Sequence, residues 1–266
     1  MFSYVGGKYR QAKWITSQIN PITKSYAEVF GGAMWVYING NISPTEVCYN
    51  DYNSQMANLF ACCNSYDEFI PILESIEAQN EKLFYQFKND IVKFMKSKNI
   101  IEMPDFELAS KYIYIITQCF SGIMSEKVKY IDLKGKYRSK YYAFLKRLKN
   151  FNIQRKLDKI KVYNMSFEEF IPLMDDDVLL YLDPPYYGTE NLYAFHNFTK
   201  NHHITLADIL NKCKNKWILS YYEFPEMKEW YPQDKYIWMY KDFKKASMAS
   251  KNKKQSIGTE LLIIKE

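Results

Sequence analysis

Short apolar runs alternate with helical segments at both ends of the chain. The run at residues 178–182 is apolar without alternation, which is typical of a strand covered on both faces by helices. Strands that alternate with helices predict an α/β fold with a largely parallel sheet. The predicted strands are residues 26–29, 45–50, 161–164, 178–182, 217–221, 236–240 and 260–264.

The α/β alternation is interrupted between the second and third predicted strands, where the pattern becomes helical. We predict an inserted, mostly helical domain at residues 55–155, with residues 1–54 and 156–266 forming the main domain. The alternative is that these helices form a layer of the main domain. The segments of helical length and spacing are residues 66–76, 81–95 and 106–120.

Composition and charge fit a globular protein and permit a polyanionic partner. The 266 residues are 47% hydrophobic and carry a net charge of +6, a balance also found in proteins without such a partner.

The five cysteines form no C-x-x-C pair and have no matching histidine cluster, so we expect no metal site. The odd cysteine count and the lack of a signal peptide favour a reducing cytosol. No apolar run approaches the roughly 18 residues of a membrane span, and nothing indicates the oligomeric state.

Four residues that directly follow the strand at 178–182 are the first indication of chemistry. Asp183, Pro184, Pro185 and Tyr186 lie where a parallel strand ends, which is where α/β proteins bind ligands. The prolines stiffen the turn and have no N–H group. Asp183 and the Pro184 carbonyl can each accept one N–H of an exocyclic amine while the Tyr186 ring, but not its hydroxyl, contacts the base. The alternative is an ordinary turn after a core strand.

Two earlier strand ends have the features of a nucleoside-cofactor site. The strand at 26–29 runs into Phe30, Gly31 and Gly32, and glycine lets a ligand approach the backbone closely. Asp51 closes the second strand and is placed to hydrogen-bond a ribose diol. A dinucleotide-binding dehydrogenase would use the same features, so they do not identify the cofactor.

Other short motifs allow more than one interpretation. Gly6, Gly7 and Lys8 lack the spacing of a phosphate-binding loop, and taken alone they favour a flexible N-terminus. Ser166 begins a predicted helix with a capping box. Residues 187–199 read as a loop over the site. His202 and His203 lie at the start of a predicted helix. We expect them to be caps or contacts more than a general base.

A basic stretch interleaved with tyrosines lies within the predicted insert. Residues 127–149 contain nine Lys and Arg residues against one acid, Asp132, and residues 132–136 suggest a turn or hairpin tip. Its lysines can contact phosphates and its tyrosines can stack or wedge, although a solvated surface helix and loop is the alternative. Residues 241–256 read as a second, flexible basic loop. The residues predicted to contact DNA are Lys134, Lys136, Tyr137, Arg138 and Lys140.

The order of these motifs resembles the DNA adenine N6-methyltransferases of the Dam type, which carry an Asp-Pro-Pro-Tyr motif. The resemblance implies a Rossmann-like S-adenosylmethionine-dependent methyltransferase fold, with a seven-stranded mixed sheet and an inserted target-recognition domain. It also implies methyl transfer to N6 of a flipped adenine in double-stranded DNA, in the cytoplasm of a bacterial or phage-infected cell. The implied cofactor-binding residues are Tyr4, Gly7, Lys8, Glu28, Phe30, Gly31, Gly32, Asp51, Phe167 and Asp183, and the implied catalytic residues are Asp183, Pro184, Pro185 and Tyr186.

The sequence departs from the family pattern at two places. The family's Asp-Phe after the third strand is Ser166-Phe167 here, and the insert motifs of GATC-methylating members are missing from residues 121–138. The target sequence is therefore not predicted. The alternatives are an RNA or cytosine-N4 amino-methyltransferase, a catalytically silent nucleic-acid-binding module and a dinucleotide oxidoreductase.

Overall fold

The strands form one mixed sheet at the centre of the chain. The computed structural model describes residues 1–4, 6–97, 100–120, 122, 124–132, 139–188, 198–244 and 257–266. Within this part of the chain the sheet has seven strands in the order β3-β2-β1-β4-β5-β7-β6, with β7 antiparallel to both of its neighbours and the other described pairings parallel. This confirms the predicted seven-stranded mixed sheet. The strands are β1 (Ser25–Glu28), β2 (Glu46–Asn50), β3 (Ile160–Tyr163), β4 (Leu179–Leu182), β5 (Trp217–Tyr221), β6 (Ile237–Lys244) and β7 (Ile257–Lys265).

Strand β4 is buried on both faces, as its unbroken apolar run predicted. Leu180 and Leu182 pack into one hydrophobic cluster, whereas Leu179 and Tyr181 pack into the cluster on the opposite face. The alternation follows from the two-residue period of a strand. Helices therefore cover the sheet on both sides, and the carboxyl end of β4 is left as the place where polar residues are accessible.

Several of the helices begin at polar side chains that cap them. The side chains of Asn53, Asp105 and Asn150 each accept a hydrogen bond from a backbone N–H of the first turn that follows them. The three long helices expected at residues 66–76, 81–95 and 106–120 are present. The helices are α1 (Ala12–Thr16), α2 (Trp35–Asn39), α3 (Ser54–Asn64), α4 (Tyr66–Glu74), α5 (Glu81–Ser97), α6 (Phe106–Thr117), α7 (Lys140–Leu148), α8 (Phe151–Leu157), α9 (Phe167–Phe170), α10 (Lys200–Lys212) and α11 (Met227–Trp230).

The helices between β2 and β3 share a core with the sheet. Tyr49 of β2 stacks on Phe60 of α3 with ring centroids 4.2 Å apart, and the Asn53 side-chain amide donates to the Tyr112 hydroxyl of α6. The hydrophobic cluster on this face runs from the sheet through α3 to α8 without a break. This packing is what the alternative of a helical layer describes, and the division into domains at 1–54, 156–266 and 55–155 stays a prediction.

The N-terminal segment is packed, so the expectation of a flexible terminus is wrong. Met1 and Phe2 are buried, and the Trp35 indole N–H donates to the Phe2 carbonyl at 2.9 Å. A carbon at the Cβ position of Gly122 would lie 2.2 Å from the Ser3 carbonyl oxygen, so the segment passes closely against this backbone. Burial of the two apolar side chains anchors the segment that carries Lys8, which is only 5% exposed and lies 2.8 Å from Asp183 at the carboxyl end of β4.

Two predicted loops are described only in part. The prediction of a basic loop at residues 241–256 is wrong at its start, because β6 continues to Lys244 and pairs there with β7. Its remaining residues, 245–256, and residues 189–197 of the other predicted loop lie outside the described residues. Across the described helices, none combines the length and the apolar character that crossing a membrane requires.

Candidate active site

A cavity of about 500 Å³ opens at the carboxyl ends of β1, β2 and β4. This is where the sheet order reverses direction along the chain, since β2 lies on one side of β1 and β4 on the other. Its volume is in the range of small-molecule sites. The lining includes all ten residues that the sequence assigned to the cofactor, namely Tyr4, Gly7, Lys8, Glu28, Phe30, Gly31, Gly32, Asp51, Phe167 and Asp183.

The glycine turn after β1 is held tightly against the end of β2. The Gly31 N–H donates to the Asn50 carbonyl at 2.7 Å, and the Tyr49 hydroxyl donates to the Gly32 carbonyl at 2.9 Å. A carbon at the Cβ position of Gly31 would lie 2.2 Å from the Tyr49 ring, and Gly32 has a left-handed φ of +47°. Both positions therefore require glycine, one for space and the other for backbone conformation.

Asp51 connects this turn to the beginning of α3. Its two carboxylate oxygens accept hydrogen bonds from the backbone N–H groups of Gly32 and Asn53, each at 2.8 Å. Asp51 also lines the cavity. The rigid attachment fixes an acid at the end of β2, as the ribose prediction requires.

Three phenylalanines form one wall of the cavity. Phe30 and Phe167 have ring centroids 5.6 Å apart, and Phe198 lies 5.9 Å from each. Ser166 and Glu169 form the predicted capping box, which fixes the turn that presents Phe167. Sequence reasoning missed Phe198, because a single aromatic in an irregular loop carries no periodic signal.

Glu28 lies at the inner end of the cavity and is only 2% exposed. Its Oε1 atom accepts from the Tyr37 backbone N–H at 2.8 Å and from the Tyr26 hydroxyl at 3.2 Å. Burial raises the pKa of Glu28 to about 8, against the opposing effect of these hydrogen bonds. The carboxyl group is therefore mostly protonated at neutral pH, and it joins β1 to the first turn of α2.

The N-terminal segment reaches the corner after β4. The Lys8 Nζ atom lies 2.8 Å from Asp183 Oδ1, 3.1 Å from the Gly6 carbonyl and 4.8 Å from the centre of the Tyr186 ring. Burial raises the pKa of Asp183 to about 6, although Lys8 opposes the shift. An acid, a cation and an aromatic ring are thus brought together from distant parts of the sequence, next to the glycine turn. Pro185 also lines the cavity.

Two residues that contact Tyr186, Glu260 and Tyr222, were not assigned to the site from the sequence. The Tyr186 hydroxyl, which had no role in the sequence-based scheme, donates to Glu260 of β7. Tyr222 directly follows β5, and its ring meets that of Tyr186 edge to face at 4.7 Å. The rule that ligands bind at the carboxyl ends of parallel strands could have identified Tyr222. Glu260 lies on an antiparallel strand, to which this rule does not apply.

The histidines at the start of α10 act as contacts, as expected. His202 Nδ1 accepts from the Thr199 backbone N–H at 2.9 Å and so caps the helix, while also lining the cavity. His203 is fully buried and shares a hydrogen bond with the Tyr221 hydroxyl. Through the described part of the chain, no group of three or more His, Cys, Asp or Glu side chains is arranged to hold a metal ion.

The residues predicted to contact DNA are only partly described. Lys140 is the first residue of α7, which Ser139 caps. In the same stretch Tyr141 is buried and its hydroxyl donates to the Leu73 carbonyl at 2.8 Å, so this tyrosine is a core residue, whereas Tyr142 is 55% exposed. The other predicted contacts, Lys134, Lys136, Tyr137 and Arg138, lie outside the described residues.

Comparison with known proteins identifies a family and several relatives. A family model for D12 class N6 adenine-specific DNA methyltransferases matches residues 4–247. DNA adenine methylase of Escherichia coli K12 is 24% identical over 246 residues, which cover 87% of this chain and 84% of that protein. The type II methyltransferase M.CviBI of Paramecium bursaria Chlorella virus NC1A is 24% identical over 220 residues, or 80% of this chain and 79% of its own. The type II methyltransferase M1.LlaDCHI of Lactococcus lactis subsp. cremoris is 22% identical over 172 residues, which cover 64% of this chain and 58% of that relative. The chain belongs to the D12 class of N6 adenine-specific DNA methyltransferases.

Proposed function

We propose that this protein transfers a methyl group from S-adenosylmethionine to the N6 amine of an adenine in double-stranded DNA. The observation that carries the proposal is the position of Asp183, which ends β4 and lines the same cavity as the glycine turn after β1. A methyl donor in that cavity and an amine at Asp183 would be neighbours. Family membership supports the reaction and the base.

The cavity fits S-adenosylmethionine in size and in chemistry. About 500 Å³ accommodates a ligand of nucleoside size. Asp51 is placed for the ribose hydroxyls, and the wall formed by Phe30, Phe167 and Phe198 suits a flat heterocycle. The bound cofactor supplies a methyl group made electrophilic by the adjacent sulfonium. Gly31 and Gly32 let that ligand approach the backbone.

Asp183 and the residues after it orient the target amine. The Asp183 carboxylate and the Pro184 carbonyl each accept one N–H of the adenine amine, and the Tyr186 ring contacts the face of the base. This would direct the nitrogen lone pair at the methyl group, so that a nitrogen–carbon bond replaces the carbon–sulfur bond of the sulfonium, a thioether leaves, and the proton lost from the nitrogen passes to water. The residues therefore act by positioning and by fixed dipoles, and no strong base is needed. Extruding the adenine from the duplex costs a few kcal/mol, which contact with Tyr186 partly offsets.

We assign catalysis to residues 1–54 and 156–266 and DNA recognition to residues 55–155. The net charge of +6 supports an electrostatic contribution to DNA binding. The contacts that we propose are made by Lys134, Lys136, Tyr137, Arg138 and Lys140. Because phosphate contacts release counterions, DNA affinity should fall steeply with salt.

Nucleoside analysis tests the proposal. The purified protein is incubated with methyl-labelled S-adenosylmethionine and either duplex DNA or RNA, and the products are digested to nucleosides. Label in N6-methyl-2′-deoxyadenosine from the DNA sample supports the proposal. Label in N4-methyl-2′-deoxycytidine or in RNA nucleosides would identify one of the alternative acceptors. Cofactor binding without any transfer would identify a catalytically silent module.

A further inference from the structure

The last strand of the sheet brings a second buried carboxylate to the catalytic corner. Strand β7 runs antiparallel to β5, so its amino-terminal part meets the carboxyl ends of β4 and β5. Leu261 pairs with Tyr221, the last residue of β5, and Glu260 therefore lies one residue beyond the end of that strand. Its side chain is only 3% exposed. The antiparallel direction of β7 is what places an acid from the end of the chain beside Asp183.

Glu260 contacts both groups that surround Asp183. Its Oε1 atom accepts the hydrogen bond from the Tyr186 hydroxyl and lies 3.5 Å from the Lys8 Nζ atom. Lys8 in turn lies 2.8 Å from Asp183 Oδ1, so the ammonium group is held between two carboxylates. Stability alone does not account for this arrangement, because buried ion pairs are often no more stable than apolar residues of similar volume.

The ion pair between Lys8 and Asp183 poses a problem for the reaction. A target amine needs an oxygen of Asp183 as its acceptor, and an ammonium group 2.8 Å from Oδ1 makes this carboxylate a weaker acceptor for a second donor, although its other lone pairs remain. A shift of the ammonium group on the order of 1 Å would exchange the two carboxylates as its nearest partner, since an N–H···O bond is about 2.7–3.2 Å long. Glu260 thus offers Lys8 a charged partner when the amine arrives.

On the basis of the proposed function, we propose that Glu260 is a positioning residue that receives Lys8 from Asp183 as the target amine binds and that holds the Tyr186 ring through its hydroxyl. Lys8 remains protonated throughout, and only hydrogen bonds are exchanged. Glu260 itself touches neither the amine nor the methyl group in this scheme. Its effect should therefore appear in the turnover rate more than in cofactor affinity.

The variant Glu260→Gln separates the two contacts. Glutamine keeps an oxygen that can accept from Tyr186, but it removes the charge that attracts Lys8. We expect kcat to fall by on the order of 10- to 100-fold, because a misplaced catalytic group loses rate at this scale, while the Kd for S-adenosylmethionine and the KM for DNA change by less than about threefold. The matched control is Glu223→Gln, because Glu223 also accepts from a tyrosine hydroxyl, that of Tyr240, but is exposed.

The pH profile gives a readout that a purely structural role would not change. The negative charge of Glu260 raises the pKa of Asp183. Removing that charge should therefore move the acid limb of kcat to lower pH, while Glu223→Gln leaves it in place. The titratable groups that face Asp183 from the packed elements are Lys8 of the N-terminal segment, Glu28 of β1, Tyr181 of β4, Tyr186 and Tyr222 of the following loops, and Glu260 of β7.

The outcomes distinguish this inference from the proposed function. If the wild-type protein does not methylate adenine, the proposed function fails. If it does and Glu260→Gln keeps the wild-type kcat and acid limb, the role of Glu260 is refuted. Should Glu260→Gln fail to fold, as judged by its thermal unfolding, Tyr186→Phe decides: a fall in kcat of at least about threefold with unchanged cofactor affinity supports the positioning role, and wild-type kcat overturns it.

Discussion

A single methyl group added to the glycine turn should disrupt the cofactor cavity. In Gly31→Ala the new carbon would lie 2.2, 2.6 and 2.7 Å from three atoms of the Tyr49 ring. Tyr49 cannot retreat easily, because it is fully buried, stacks on Phe60 and donates its hydroxyl to the Gly32 carbonyl. The turn or the ring must therefore move.

The cost follows from overpacking a rigid core. Forcing extra volume into a packed interior typically costs about 1–3 kcal/mol. For a chain of 266 residues this lowers the Tm by several degrees, at roughly 2–4 °C per kcal/mol. Because Gly31 and Gly32 line the cavity, displacement of the turn should also weaken S-adenosylmethionine binding by at least about tenfold, which corresponds to roughly 1.4 kcal/mol.

Calorimetry of unfolding and of cofactor binding measures both effects. Gly32→Ala is the control for unfolding, because its added carbon would meet the Tyr4 ring at an ordinary 3.5 Å and only the left-handed backbone is strained, at about 1 kcal/mol. In a Tyr49→Leu background the steric part of the Gly31→Ala penalty should disappear. A wild-type Tm and Kd in Gly31→Ala, or an equal penalty in both backgrounds, would show that contact with the Tyr49 ring does not exclude a side chain at this position.

Two further predictions concern the catalytic ring and the buried acid. Tyr186→Ala removes the aromatic contact with the base, which is worth on the order of 1–3 kcal/mol. The kcat/KM for DNA should therefore fall by roughly 5- to 150-fold, while cofactor affinity, measured by titration, stays near wild type. An unchanged kcat/KM would count against the contact. The pKa of Glu28 is raised from 4.5 to about 8, so the folded state binds this proton more tightly than the unfolded state does. The contribution of the protonated Glu28 to stability is therefore full below pH 4.5 and is lost as the pH rises through 8. The loss of unfolding free energy over this pH range is about 5 kcal/mol. Glu28→Gln cannot ionise, so urea titrations should show a flatter fall in its unfolding free energy over the same range. Parallel pH dependences in the two proteins would contradict the raised pKa of Glu28.

The sequence predicted those features that depend on local pattern. The apolar run of β4, the glycines after β1 and the acid that closes β2 each follow a rule of strand ends, and the structure brings them to one cavity. The capping box at Ser166 depends on residues three positions apart and was predicted for the same reason.

Features that depend on long-range packing were not predictable in this way. The N-terminal segment contains no periodic signal, and it is held by contacts with Trp35 and with the backbone at Gly122. Glu260 reaches Tyr186 only because β7 runs antiparallel to its neighbours, and strand order cannot be read from a single strand. Tyr141 was grouped with DNA-contacting tyrosines because periodicity does not show which face of a helix the rest of the chain will cover.

The decisive measurement is the rate of methyl transfer by Asp183→Ala. If Asp183 holds the target amine, single-turnover transfer of labelled methyl to N6 of adenine should fall by at least about 100-fold in this variant, the scale on which losing one fixed hydrogen-bonding group acts. Thermal unfolding and DNA binding, measured on the same sample, should stay close to wild type. Transfer at the wild-type rate by a folded, DNA-binding Asp183→Ala protein would show that Asp183 does not hold the target amine.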